Sequence, residues 1–354
     1  MRNALPILLL LSALHSPSGY ARVIVPNAND SGAGAGSIHT YPDGWTGDVV
    51  PLSSIVPGEA NPIASATAVE YEPIEDVLYV ADFRGQAVRV YDAQGNGGVA
   101  PLRTLASSML GQVRVVRIDR ARDELVAIAG MMRVCTWPRL ASGENVMPTR
   151  CIPWGGNSDS QLNNPAGLAL NRARREIVVG DYVESAPFAN RILIFPRTAD
   201  AGSNAPVRVI EGGNTGLGAG SNVRVVVDEQ HQLIIALVGA TVPDAGTTAR
   251  VLVFPADADG DATPIRVIEG AASGLQLAPG EYPSGLGYDE VNQAVLVAIA
   301  TNGSGTSGRV VAHWELASIG SAPLYTLAGG NTGISAMPGA PTATTHNLFR
   351  DGFD

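Results

Sequence analysis

The chain has 354 residues, 45% of them hydrophobic but only 5% aromatic, with 41 glycines and 24 prolines, a profile that fits short strands punctuated by turns. Its formal net charge is −10, and all 23 basic residues are arginine. No basic stripe can neutralise phosphates, which excludes nucleic acid and anionic membranes as partners, and the lack of lysine removes Schiff-base and lysine-base chemistry.

Residues Met1–Ala21 read as a secretory signal. Arg2 gives the positive start, ALPILLLLSAL is too short to span a bilayer, and Gly19-Tyr20-Ala21 suits cleavage after Ala21. The expected product is exported, periplasmic or extracellular, with no membrane insertion after cleavage. An uncleaved anchor is the alternative.

One strand–turn–strand pattern then recurs. RILIFPRTADAGSNAPVRVIEGG opens at Arg191, RVLVFPADADGDATPIRVIEG at Arg250 and RVVAHWELASIGSAPLYTLAGG at Arg309, at equal steps; looser copies open at Ser37, Ala87 and Met132. A fixed period longer than a hairpin marks a radial or solenoid repeat. From Thr67 the strands read in fours, giving blades over 67–108, 113–155, 166–212, 223–270 and 284–329. Residues 22–58 supply three strands of a sixth blade but no innermost one, and the tail 341–353 is the segment left to provide it. The predicted fold is therefore all-β: residues 22–354 form a single six-bladed β-propeller of four-stranded antiparallel blades, with the ring closed by its N- and C-terminal segments.

The succession NPAGLALNRARREIVVGDYVESAPFANRILIFP resembles the NHL-type propeller repeat of exported bacterial proteins, with Pro165, Gly167, Asp181, Asn190 and Arg191 in the matching places. The blades opening at Val223 and Ser284 depart from it, because Gly/Ser/Thr-rich loops replace the Asp that ends the second strand. The resemblance implies the fold and leaves the ligand open.

Loop lengths point to the functional face. First-to-second turns are short, whereas second-to-third connections and the links between blades are long and emerge on one face, where a rigid scaffold places binding residues. Candidate ligand-binding residues there are Asp82, Arg84, Asn163, Asn164, Asp181, Tyr182, Asn214, Glu281 and Tyr282, with Phe83, Asn157, Asp159, Glu184 and Asp244 on the same face. For most of them individually, a solvated loop tip is the plainer reading.

Cys135 and Cys151 fall opposite each other on consecutive antiparallel strands, so they read as a disulfide, with two buried free thiols as the alternative. Asp257, Asp259 and Asp261 open like a calcium loop, but Ala262 replaces the required glycine and Ile268 the closing glutamate; calcium is retained only as a possible cofactor, and none is otherwise predicted. Arg103, Arg150, Arg208 and Arg266 recur on the outermost strands and are expected to pair with nearby acids. His39, His231, His313 and His346 are scattered, and no G-x-S-x-G, phosphate-loop or H-E-x-x-H motif is present.

The reading is a monomeric, non-catalytic exported propeller that presents its loop-rich face to an unidentified protein, glycan or small molecule. The alternative is a metal-dependent lactonase- or lyase-type propeller enzyme, with Asn164, Asp181 and Asn222 at the channel mouth. The tail NLFRDGFD resembles short endings of exported bacterial proteins, a role that would compete with ring closure.

Overall fold

The structure, a computed structural model, describes residues 22–28, 36–44, 46–130, 132–183, 189–218, 222–239, 248–302, 307–315 and 317–344. The signal segment, Glu184, Asp244 and His346 lie outside the described residues.

Six sheets of short antiparallel strands stand in a ring, as the repeat predicts. Blade 1 comprises strands Ala66–Glu72, Val77–Asp82, Ala87–Asp92 and Arg103–Ala106. Blade 2 runs from Val115–Asp119 to Arg150–Ile152, blade 3 from Asn164–Asn171 to Arg208–Ile210, blade 4 from Arg224–Asp228 to Arg266–Ile268, and blade 5 from Glu281–Asp289 to Tyr325–Ala328. Each blade is sandwiched between two others, so the middle strands bury both faces. Val77–Asp82 is buried at every residue, which is why these strands read as continuous apolar runs rather than alternating ones. Tyr79, Trp137, Phe195 and Phe254 fill the space between blades.

The short turns are built alike. The last residue of each first strand, Glu72, Asp119, Asn171, Asp228 or Asp289, accepts the backbone N–H three residues on. Asp76, Asp123, Arg175, Gln232 and Gln293 then adopt left-handed φ and return the chain to the second strand. Asp76, Arg175 and Gln293 thus do without the glycine that a sequence reader looks for at such a turn.

Blade 6 is shared between the chain ends. Arg22–Ala28, Ser37–Pro42 and Ser53–Ile55 form its outer strands, and the inner position is filled by Met337–Pro338 and Thr342–Ala343, both antiparallel to Arg22–Ala28. The sequence places closure at 341–353; the pairing begins earlier, at Met337, and the described chain ends at Thr344. Gly339 explains the break between the two short segments. Its backbone passes so close to blade 1 that a Cβ would stand 2.3 Å from the Thr67 carbonyl oxygen, while Ala340 N–H donates to that same oxygen at 2.9 Å.

Neighbouring blades are also clamped at the rim. The third-to-fourth turn of one blade lays a glycine beside the outer strand of the blade before it: Gly47 on Leu327, Gly97 on Ile55, Gly143 on Leu105 and Gly260 on Ile210, with Gly320 N–H donating to Glu269 O. All five glycines have left-handed φ. The seam between blades 2 and 3 has no such clamp among the described residues. There Arg197, buried, donates through Nε to Asp119 and forms an ion pair with Glu124, and Arg150 donates to Arg197 O. The outer arginines Arg103, Arg150 and Arg208 meet Glu75, Glu124 and Glu176.

Candidate functional site

Where the inner strands begin on the loop-rich face, they enclose a cavity of about 300 Å³ at the mouth of the central channel. Two inner strands carry the same tetrapeptide, Val113-Arg114-Val115-Val116 and Val223-Arg224-Val225-Val226. The valines beside each arginine are buried in the interblade cores, and both arginines line the mouth. Phe83, Arg84, Asn222 and Tyr282 complete the rim.

Among the described residues, the lining of the mouth carries Arg84, Arg114 and Arg224 and no carboxylate. Arg114 donates to Asn164 Oδ1 at 3.3 Å. Arg224 donates through Nη1 to Ala166 O at 2.8 Å, while its buried Nε has no hydrogen-bond partner. Burial and the like charge of Arg114 draw the Arg224 pKa down to about 10, with Tyr282 opposing. It stays charged at neutral pH, and no carboxylate among the described residues pairs with it.

The candidate residues read from sequence divide into three groups. Arg84 and Tyr282 line the mouth, and Asn164 stands against Arg114. Asp82 and Asp181 point elsewhere: both are fully buried and act as pins. Asp82 accepts the N–H groups of Ala64, Ser65 and Gly85 and the Arg89 Nε–H at 2.7 Å. Asp181 accepts the N–H groups of Asn163 and Asn164 and the Arg191 Nε–H at 3.0 Å. Burial pushes the Asp181 carboxyl up, against Arg191 and those N–H groups. Glu281 serves blade 5 in the same way, through Arg309 and the Ala278 N–H. Tyr182 lies at the end of its strand, paired with Asn190 and Asn164. Asn214 is drawn to the outer rim, where its backbone and side chain donate to Asp261 at 2.7 and 2.8 Å. Asp259 likewise accepts the Val209 N–H, so two of the three acids in the calcium-like run tie blade 4 to blade 3.

Arg114 and Arg224 escape the sequence reading, because one arginine in a valine run looks like any strand residue. The repeated VRVV at matching blade positions was the available signal.

Cys135 and Cys151 are opposed in register, 4.1 Å apart at Cα, and joined in a disulfide. No described helix is long and apolar enough to cross a membrane.

The far end of the channel opens into a second cavity of about 560 Å³. Its charges are interlocked, with Glu70 held by Arg117 and Arg172, and Arg172 also by Glu229. Beside it Asp228, His231 and Glu315 bring three potential metal-ligand atoms within 4.8 Å of one another. The other two described histidines lie elsewhere: His39 is held between Ser37 and Ser54, and His313 against Ser273 O.

No family model matches the chain, and no curated protein matches it. Solved structures do. A chain in the crystal structure of a nidogen/laminin complex aligns with a TM-score of 0.57 and 12% identity, covering 92% of this chain and 98% of that one. At that identity, the likeness is one of fold alone. The WD40 domain of coronin from Toxoplasma gondii aligns at a TM-score of 0.48 and 12% identity, over 87% of this chain and 69% of that one.

Proposed function

We propose that this chain is an exported, non-catalytic binding propeller, of a kind similar to NHL repeat proteins, that holds an acidic group of its partner in the arginine-lined mouth. The observation that carries the reading is Arg224: charged, lodged beside Arg114, with a buried Nε that has no acceptor. A buried donor left unmade costs about 1–3 kcal/mol, more when it is charged, and an entering carboxylate supplies both the acceptor and the opposite charge. Phe83 and Tyr282 offer apolar surface beside it, the usual composition of a small-ligand site. The disulfide supports export, since such bonds persist in oxidising compartments.

The same geometry weighs against the metal-dependent alternative at this mouth. Asp181 is spent on backbone N–H groups and Arg191, and a cation there would meet Arg114 and Arg224.

Calorimetric titration with succinate, a small dicarboxylate probe, tests the reading. Wild-type protein is expected to bind it, more weakly as salt rises. Arg224→Gln, which keeps a polar side chain but removes the charge, is expected to lose at least about tenfold in affinity, or ~1.4 kcal/mol. Equal affinities in the two proteins, or no binding by the wild type, would refute it.

A further inference from the structure

The cluster at the opposite face is built from a position that recurs in every complete blade. The residue after each third strand donates its N–H to the left-handed residue of the first-to-second turn: Arg139 to Asp123, Arg197 to Arg175 and Glu315 to Gln293, at 2.8, 2.8 and 2.9 Å. In blade 3 the side chain at this position reaches back to the acid that ends the first strand of the preceding blade, Arg197 Nε lying 3.2 Å from Asp119 Oδ2. Blade 5 has a glutamate there, facing Asp228, the corresponding acid of blade 4. An arginine–acid contact has become an acid–acid contact, deep in the seam: Asp228 is 3% exposed and Glu315 0%.

His231 sits between them. Its Nδ1 lies 2.6 Å from Asp228 Oδ2 and 3.0 Å from Glu315 Oε1. One imidazole nitrogen carries at most one hydrogen, so it cannot serve both oxygens, and Glu315 Oε1 is left buried without a hydrogen-bond donor. The remaining oxygens are already engaged. Asp228 Oδ1 accepts the N–H groups of Gln230 and His231, and Glu315 Oε2 accepts the Tyr288 hydroxyl. Each carboxylate is thereby oriented with its other oxygen, Asp228 Oδ2 or Glu315 Oε1, towards His231 Nδ1, as supporting hydrogen bonds orient the ligands of a metal.

We infer that Asp228, His231 and Glu315 bind a divalent transition-metal ion, zinc by the chemistry of the donors, which takes the place of the arginine found in the sister seam. One imidazole nitrogen with two carboxylate oxygens suits zinc, whereas calcium takes oxygen ligands only. Zinc bonds of about 2.0–2.2 Å at tetrahedral angles set ligand atoms about 3.3–3.6 Å apart, so the three groups need open by less than about 1 Å. The imidazole is 38% exposed, which leaves a fourth position for water.

Zinc chloride titrated into chelator-treated, dialysed full-length protein tests this, read by calorimetry and by thermal unfolding. Wild type is expected to bind one zinc per chain and to melt at a higher temperature with it. His231→Ala, at a partly exposed position that folding tolerates, is expected to bind at least about tenfold more weakly. Glu315→Arg recreates the sister contact; it is expected to melt no lower than the metal-free wild type and to gain nothing from zinc. Zinc uptake that is absent from the wild type, or unchanged in both variants, would overturn the inference.

Discussion

Asp82 and Asp181 show how one residue type can be legible in place yet misread in role. The sequence marks each as the acid that ends a second strand, but not the direction of its side chain. The structure turns both inward, onto N–H groups of the incoming inner strand and onto Arg89 or Arg191. Removing one partner of a buried ion pair strands the other, at a cost of about 3–5 kcal/mol. Asp82→Ala is therefore expected to lower the denaturation midpoint sharply. A change within about 0.5 kcal/mol, the range of ordinary surface substitutions, would contradict the pinning role. His313 makes a second residue-scale case. Burial, partly offset by its bond to Ser273 O, holds its pKa below the ordinary value of 6.5. Below pH ~6.5 the unfolded chain therefore takes up a proton that the folded chain refuses, and stability falls as pH drops through that value. Urea unfolding between pH 7.5 and 5.5 should show a shallower loss in His313→Gln than in wild type; parallel slopes would contradict the assignment.

At the scale of elements, strands and their grouping into blades were readable because burial on both faces demands continuous apolar runs. The rim clamps were less so. Gly47, Gly97, Gly143, Gly260 and Gly320 read as ordinary turn glycines, and only the ring brings each against the blade before it. The seam between blades 2 and 3, where that clamp is missing among the described residues, lies beside the outer strand held by Cys135–Cys151. The disulfide fastens that strand, Arg150–Ile152, to its own blade. Reduction, or the double variant Cys135→Ser/Cys151→Ser, is expected to cost about 2–4 kcal/mol, seen as a lower melting temperature. Equal melting with and without reductant would contradict that contribution.

For the whole molecule, closure was legible as a shortage: three strands at one end called for a fourth from the other. Its position was legible in part: Thr342–Ala343 lies inside the expected 341–353, whereas Met337–Pro338 comes before it and is too short to read as a strand. Ending the chain after Ser335 removes both described closing segments, opens two sheet edges and is expected to abolish cooperative unfolding. The ring also separates two chemistries along one channel, arginines at the loop-rich mouth and carboxylates with a histidine near the other end. The loop lengths point to the first face but not to its arginines, and the second cluster is not legible in the sequence because its residues meet only across a seam between blades. The most direct measurement of the central claim follows the arginine Nε–H signals by NMR during succinate addition. Arg224 and Arg114 are expected to shift together and saturably, while Arg197, enclosed by Asp119 and Glu124, stays in place. Shifts confined to arginines outside the mouth, or no shift at Arg224, would contradict it.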